Sequence, residues 1–533
     1  MFQKLSLLWD SKRLPWLIIG YGIILRLVQY LHNRSLEIDE ARDTVVGILG
    51  RAFSDLFKLP DIYIPTPAVG FFIIEKIAVQ FFGDSEYALR LFPLLAGIIS
   101  LFLFYFVAKQ YVKQKVVLIA LILFATLEPL IYYSAAVRPY SGDIVMALTM
   151  LYLTLSYIHS ERLTISQTAL FGGIGAVMIW FSTTSVFMLG GVGISLFLLS
   201  LIKKEWTRVG NLLFIYSIWA LSFSVYYFFY LHNFSGNPFM YNAAKGEDMF
   251  MPFPPSFSTI KWFIARFFGT FEETVGFFQP GIAGIAALAF IIGCVSIFRD
   301  KKENFFCLIS PAVLVLLASC ISLYPFRQRL IIFLVPSFLF FIAEGTEYVM
   351  NKTANNARII GIAFIVLLLF HPLLSSANHL IKPITTEEIK PVLSYINKNW
   401  QNGDVLYVHY GAHPAFAYYS KKYGFKESDY IVGIYAGDRN NQWEFSVDYL
   451  RAYTKDLDKL RGKKRVWILF THTPMLNKGI DEEVFFIYYL STIGKQIDSF
   501  RDIEASVYLY DLSSVMVDSR KDSDVRKPLH WNF

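Results

Sequence analysis

Long apolar stretches recur along the first 376 residues of the chain and are separated by short polar loops. Each spans about 17–23 residues, which is enough for a helix to cross roughly 30 Å of hydrocarbon. The pattern predicts about eleven transmembrane helices. Only Ser182, Thr183 and Thr184 break the apolar sequence between the fifth and the sixth. The spans are expected near 14–31, 88–108, 115–133, 141–158, 165–180, 183–201, 209–231, 278–298, 305–323, 328–350 and 358–376.

The pattern changes after residue 385. Short β-rich segments at 404–410, 430–434, 465–471 and 506–510 alternate with helical stretches near 386–400, 413–422, 444–461 and 481–493. Such alternation predicts a small α/β domain with a mostly parallel sheet. The sequence therefore predicts an α-helical polytopic membrane domain over 1–380, followed by a soluble α/β domain over 381–533.

Basic residues of the short loops indicate an orientation. With these spans, one set of loops holds Lys4, Lys12, Arg13, Lys109, Lys113, Lys115, Arg162, Lys203, Lys204, Arg208, Arg299, Lys301, Lys302, Lys352 and Arg358. We predict that this side is cytoplasmic. The loops 32–87 and 232–277 and the C-terminal domain then lie outside the cytoplasmic (inner) membrane of the cell. The first apolar stretch has no small-residue cleavage site, so we interpret it as a retained helix.

The stretch 65–82 is apolar enough to suggest a further span. Glu75, Lys76 and Gln80, however, fall along one side of a helical wheel. A span here would also reverse the side of the next basic loop. We therefore predict an amphipathic helix at the outer interface of the membrane.

Composition supports a membrane protein, because 55% of the residues are hydrophobic and 17% are charged. The net charge of +7 is spread over loops and tail, so topology explains it and no nucleic-acid partner is expected. The cysteines Cys294, Cys307 and Cys320 all lie in predicted spans, which disfavours a disulfide framework. No Cys/His metal spacing occurs, and no cofactor is expected.

The first outer loop is acidic, with four carboxylates between Glu37 and Asp43. At the edge of a helical bundle, a carboxylate of this loop could act as a general base or hold a divalent cation, although no metal is predicted. The alternative is a solvated loop whose acids pair with nearby arginines: Arg34, Arg42 and Arg90.

Several arginines are candidates for binding an anionic group. Arg138 precedes Pro139 and Tyr140 at a helix mouth, after Glu128-Pro129, and a guanidinium offers a planar fork of donors to a phosphate. Arg327 and Arg329 lie at the outer mouth of the tenth span. Snorkelling to lipid headgroups is the alternative for all three. Arg26, inside the first span, needs a partner, and the Asp39/Glu40 loop is the nearest candidate in sequence.

Two other features leave their roles open. The long loop 232–277 could cover a substrate or merely connect two spans. His409, His413 and His472 lie in the C-terminal domain, where structural or surface roles are favoured over metal binding.

A set of short motifs occurs in order along the chain: Arg26, Asp39-Glu40-Ala41, Pro65-Thr66-Pro67, the run Phe82–Leu91, Tyr133-Ser134, Arg138-Pro139-Tyr140, Arg327-Gln328-Arg329 before an apolar span with Pro336, Gly403–Val408 and Ala417–Tyr419. On these residues the chain resembles the GT-C superfamily of glycosyltransferases, in the family 39-like branch with protein O-mannosyltransferases and aminoarabinose transferases. Ala135-Ala136 departs from the Gln-Glu that many relatives carry there, which suggests a different acceptor or sugar or a weakened enzyme.

The resemblance implies an inverting hexosyl- or pentosyltransferase that uses a polyprenyl-phosphate sugar donor at the outer face of the membrane. Asp39 would be the general base with Glu40 beside it, and Arg138 with Arg327 or Arg329 would hold the carrier phosphate. The acceptor could be a glycan, a lipid or a protein. A polysaccharide polymerase or ligase, a transporter of lipid-linked saccharides and a non-catalytic assembly protein remain as alternatives.

Overall fold

The structure is a computed structural model that describes residues 12–56, 68–160, 164–233, 238–352, 358–436, 447–473, 475–476 and 480–513. Contacts divide the chain into two units. One, the membrane unit, comprises Met1–Asn33 and Asp43–Ile384, and the other, the C-terminal unit, comprises Arg34–Arg42 and Thr385–Phe533. A short segment of the first predicted outer loop thus clusters with the C-terminal residues.

Nine helices of the membrane unit are long and apolar enough to cross a membrane, counting only the described residues: Leu14–His32, Leu91–Tyr111, Tyr140–Ile158, Ser185–Ile202, Trp206–Phe229, Pro280–Asp300, Lys302–Cys320, Gln328–Met350 and Gly361–His379. The other two predicted spans are also helical but less regular. The third is a pair, Gln114–Thr126 and Glu128–Ala135, bent by 57°, and the fifth is the shorter helix Ile165–Phe181.

The bend of the third span has a local cause. Pro129 has no backbone N–H, so the carbonyl of Ala125 loses its helical partner. Arg26 donates to that carbonyl over 3.3 Å and to the carbonyl of Phe124 over 3.4 Å. The terminal nitrogens of Arg26 therefore donate to backbone carbonyls, including that of Gly22 over 3.1 Å, and not to the Asp39/Glu40 loop that was the nearest candidate in sequence.

Glycines allow two of the helices, Pro280–Asp300 and Val335–Lys352, to pack with their backbones in contact. A Cβ atom added at Gly293 would lie 1.8 Å from the carbonyl oxygen of Phe341, and one at Gly345 would lie 1.9 Å from that of Ala289. Small residues at such crossings are typical of membrane helices, which associate by close packing rather than by a hydrophobic driving force.

The membrane unit also contains short helices. Val69–Phe82 covers most of the predicted interfacial helix, whereas Pro65-Thr66-Pro67 lies outside the described residues. Glu75 was expected on the polar face, but its side chain is fully buried. The helical wheel gives the spacing of residues and not the neighbours that cover each face. Helices Pro238–Gly246 and Phe257–Gly269 and the π-helix Thr270–Thr274 occupy the loop between the seventh and eighth spans.

The C-terminal unit contains a five-stranded sheet in the order β2-β1-β3-β7-β6. Its strands are β1 (Val405–Val408), β2 (Tyr430–Val432), β3 (Val466–Thr471), β6 (Lys495–Asp502) and β7 (Ala505–Asp511), and β4 (Met475–Leu476) pairs separately with β5 (Ile480–Asp481). β1 runs parallel to β2 and β3, but β3–β7 and β7–β6 are antiparallel. The prediction of a mostly parallel sheet is wrong, because it omitted β6, whose hairpin with β7 reverses the chain.

The helices of this unit are Ile38–Glu40, Ile389–Asn399, His413–Tyr419, Val447–Asp458 and Glu482–Ile493. Its hydrophobic core forms around β3, whose residues are all buried. Aromatic and aliphatic side chains of the helices complete this core, among them Leu457, Phe486 and Leu490. The buried sheet therefore fixes where the loops at the ends of its strands begin.

Candidate functional site

Arg138 lies in the membrane unit, in the turn that precedes the helix beginning at Tyr140. Its guanidinium donates to the Asp43 carboxylate over 3.4 Å, to the Thr44 hydroxyl over 3.5 Å and to the Tyr140 hydroxyl over 3.3 Å. Only 7% of the residue is exposed. A snorkelling arginine would extend into the headgroups, so the structure instead shows a cation held in place by three side chains.

A second polar group of the membrane unit involves Asp143, which follows in the first turn of the same helix. Asp143 is buried and hydrogen-bonds with Ser182 and Thr184. These two residues lie in the break between the fifth and sixth predicted spans, and their hydroxyls are 2.9 Å apart. The adjacent Thr183 hydroxyl lies 3.2 Å from that of Tyr226. A carboxylate and several hydroxyls are therefore concentrated at this helix break.

The other candidates of the membrane unit have separate partners. Arg327 donates to the carbonyl of Glu247 over 2.9 Å and to its carboxylate over 3.2 Å. This contact ties the loop between the seventh and eighth spans to the mouth of the tenth. Arg329 is partly exposed. Glu128 contacts His379 over 3.1 Å, close to the bend of the third span.

Asp39 and Glu40 belong to the C-terminal unit. Glu40 is fully buried and forms an ion pair with Arg34 over 2.7 Å, and it also accepts from the backbone N–H of Glu37. Asp39 is more accessible, with 16% of its side chain exposed, and it pairs with Arg42 over 3.2 Å. Two of the three arginines named in the alternative interpretation, Arg34 and Arg42, thus contact these acids, while Asp39 keeps an accessible edge.

Residues far along the chain hold the segment that carries Asp39. Glu388 accepts from the hydroxyl of Ser35 over 2.8 Å, and Glu387 accepts from the backbone N–H of Ile38 over 2.7 Å. The Tyr419 hydroxyl accepts from the backbone N–H of Leu36 over 3.0 Å. Such a fixed backbone orients the neighbouring carboxylate before any substrate binds.

Within the membrane unit, the structure brings together two of the residues selected from the sequence. Arg138 and Tyr140 meet, but their partners Asp43 and Thr44 were not chosen, and neither was Asp143. An acid inside a predicted span is unusual, and that signal could have identified Asp143.

His409 is buried beside Glu482, and the described residues contain no group of three or more His, Cys, Asp or Glu side chains suited to a metal ion. The three cysteines are free.

Comparisons with known proteins agree with this architecture. Residues 65–227 match the family model of dolichyl-phosphate-mannose-protein mannosyltransferase. The structure of ArnT from Cupriavidus metallidurans bound to undecaprenyl phosphate is similar, with a TM-score of 0.54 and 10% identity, over 94% of this chain and 98% of that chain. The apo form of the same protein gives a TM-score of 0.50 with 11% identity, over 94% and 99% of the two chains. No curated protein sequence matches the chain.

The chain is thus a multi-pass membrane protein that has the fold of ArnT over nearly its whole length. A helical membrane part is followed by a small sheet domain, as the sequence predicted. Over residues 65–227, which include Arg138 and Asp143, the chain is similar to the mannosyltransferase family. The predicted resemblance to the GT-C superfamily is confirmed.

Proposed function

We propose that this protein transfers a single sugar from a polyprenyl-phosphate carrier to an acceptor at the outer face of the cytoplasmic membrane. The observation that carries the proposal is the buried Arg138, oriented by Asp43, Thr44 and Tyr140. The family model that covers this residue is named after enzymes that use a lipid-phosphate sugar, dolichyl-phosphate mannose, as donor. The similar ArnT structure holds undecaprenyl phosphate.

Arg138 would stabilise the carrier phosphate as it leaves. When the bond between the sugar C1 and the phosphate oxygen breaks, negative charge accumulates on the phosphate. A guanidinium already fixed in a water-poor site stabilises that charge without reorganising. The 3.4 Å contact with Asp43 is long for a charge-assisted hydrogen bond, so an incoming phosphate can compete for the same nitrogen. Arg327 or Arg329 would supply a second positive charge.

Asp39 would act as the general base. In an inverting transfer the acceptor hydroxyl attacks C1 directly, and its proton passes to a carboxylate as the new bond forms. The accessible edge of Asp39 suits this role better than Glu40, whose carboxylate is buried against Arg34. We therefore assign Glu40 to holding the segment. No step of this mechanism requires a metal ion.

Transfer assays in liposomes test the proposal, using polyprenyl-phosphate hexoses and pentoses with a membrane extract as acceptor source. Asp39→Asn should lower the rate by about 10²–10⁴-fold, because it removes the base. Arg138→Ala should lower it by about 10²–10³-fold. Asp448→Asn, at an exposed carboxylate of the C-terminal unit, is the matched control and should leave the rate unchanged.

Each role has its own contradicting result. Full activity of Asp39→Asn in a folded protein excludes Asp39 as the base. An unchanged rate and donor KM of Arg138→Ala exclude Arg138 as the phosphate ligand. Release of intact lipid-linked sugar across the membrane without formation of a glycosidic bond would instead identify a transporter.

A further inference from the structure

The C-terminal unit contains a polar pocket of about 430 Å³ at the carboxyl end of β3. Its lining includes Thr471 and His472 from that strand end, Glu387 from the segment before the helix Ile389–Asn399, and Ser506 from β7. Strand pairing explains the position, since Phe470 is opposite Ser506 and Thr471 is opposite Ala505. The β6–β7 hairpin therefore forms one wall of the pocket.

One wall of the pocket is preorganised by a carboxylate. A single oxygen of Glu483 accepts from Arg501 over 2.5 Å, from Ser506 over 2.7 Å and from Tyr508 over 2.7 Å. Glu483 itself is 9% exposed. These three hydrogen bonds hold the side chains of Arg501, Ser506 and Tyr508 in fixed positions around the Glu483 carboxylate.

The Thr471 hydroxyl is the feature that points to a ligand. Thr471 is 2% exposed, and its side-chain oxygen has no hydrogen-bond partner among the described residues. A buried polar atom of this kind costs free energy unless something else completes its hydrogen bonds. Because Thr471 lines the pocket, a ligand hydroxyl bound there would complete them.

The same pocket is linked to the segment that carries Asp39. One oxygen of Glu387 contacts His472 Nδ1 over 2.8 Å, and the other accepts from the backbone N–H of Ile38 over 2.7 Å. Partial burial lowers the pKa of His472, but the hydrogen bond with Glu387 and the charges of Glu387 and Asp39 raise it above its ordinary value. The Asp39 charge is thus close enough to act on a residue of the pocket wall.

From these contacts we infer that the pocket binds a neutral, polyhydroxylated sugar unit of the acceptor. The inference rests on the proposed function, since it assigns the acceptor side of that reaction. Carboxylates accept hydrogen bonds from sugar hydroxyls, and protein hydroxyls both donate to them and accept from them. Four carboxylates, Glu387, Glu483, Asp502 and Glu504, outnumber the cations Arg501 and His472 in the lining, so an anionic sugar would be repelled.

Binding of simple glycosides to the full-length protein tests the inference in a detergent without a sugar headgroup. The probes are a neutral methyl hexopyranoside, the corresponding methyl hexuronide and a serine- and threonine-containing peptide. Thr471→Val should weaken binding of the neutral glycoside by roughly five- to tenfold, because it replaces the hydroxyl by a methyl group. Thr492→Val is the matched control, at an exposed threonine of the helix Glu482–Ile493, and should bind as the parent does.

The inference is overturned if the neutral glycoside does not bind, or if it binds Thr471→Val and Thr492→Val with equal affinity. It is also overturned if the hexuronide binds as tightly as the neutral glycoside. A peptide that binds in a Thr471-dependent manner, where the glycoside does not, would overturn it as well. These results leave the proposed function intact if Asp39→Asn still abolishes transfer. Conversely, glycoside binding that depends on Thr471, in a protein that transfers no sugar from polyprenyl phosphate, supports the pocket and overturns the proposed function.

Discussion

Buried arginines of the two units differ in the partners that satisfy them. In the membrane unit, Arg26 donates to backbone carbonyls at a helix break, and Arg138 donates to a carboxylate and two hydroxyls. In the C-terminal unit, Arg34 and Glu40 form a direct ion pair with 1% and 0% of their side chains exposed. Lipid offers no water to a charge, so Arg26, inside a spanning helix, donates to backbone carbonyls at a helix break. Arg138, at a helix mouth, and Arg34, in the C-terminal unit, are each paired with a carboxylate.

The units also differ in how they pack. Helices of the membrane unit approach until backbones touch at Gly293 and Gly345. The C-terminal unit instead fills the space beside β3 with large side chains such as Tyr407, Phe470 and Phe486. We therefore expect stability to depend on small residues at the helix crossings of the membrane unit, and on large or charged residues in the C-terminal unit. Substitutions of matched type can test that contrast.

The largest effect on stability is expected for Arg34→Met in the C-terminal unit. Removing one member of a buried ion pair destabilises a protein by about 3–5 kcal/mol, because the remaining charge stays buried. Hydrogen exchange resolved by peptide should show faster exchange in 34–42 and in the helix Ile389–Asn399. It should show no change in the membrane helices.

The double variant Arg34→Met/Glu40→Leu is the control for this charge effect. Replacing both members by apolar side chains of similar volume is often neutral for stability, so protection should largely return. Equal loss in the single and double variants would show that packing rather than the unpaired charge stabilises this segment.

Gly293→Ala is expected to have the next largest effect, and it acts on the membrane unit. The new Cβ atom would overlap the Phe341 carbonyl, which belongs to a helix backbone and cannot rotate away. Overpacking of this kind costs about 1–3 kcal/mol, and the thermal midpoint of the purified protein in detergent should fall. Gly284→Ala is matched, since it lies on the same helix with nothing within 4 Å of the added atom. Equal midpoints for the two variants would contradict the backbone contact.

Much of this fold follows from the sequence. The length of the apolar stretches alone predicted the nine long helices, the bent pair and the shorter helix Ile165–Phe181, because a helix that spans a membrane has a required length. The strand β6 was missed because its sequence, Lys495–Asp502, is polar and mostly exposed, so it lacks the apolar signal of a strand. The bend at Pro129 could have been anticipated from the missing N–H of proline.

The candidate site was less predictable, because its contacts are distant in sequence. Arg138 could be selected from its place at a helix mouth, but Asp43 lies 95 residues away, and no local pattern pairs the two. Likewise, the contact between Ile38 and Glu387 joins residues 349 positions apart. Residue type identifies which side chains can do chemistry, and only the packed fold determines which of them meet.

The smallest effect on stability is expected for a substitution of Glu75. This buried acid of the membrane unit contrasts with Glu40 of the C-terminal unit, which is paired with Arg34. Its side chain is fully buried in the membrane unit, and neither carboxylate oxygen has a hydrogen-bond partner among the described residues. Glu75→Met keeps the approximate volume and removes the polar group, so stability should rise by on the order of 1 kcal/mol. Glu75→Gln keeps a polar group at the same place and should not gain stability. A lower thermal midpoint for Glu75→Met would show that this carboxyl group is paired, and that the membrane unit tolerates no buried acid without a partner.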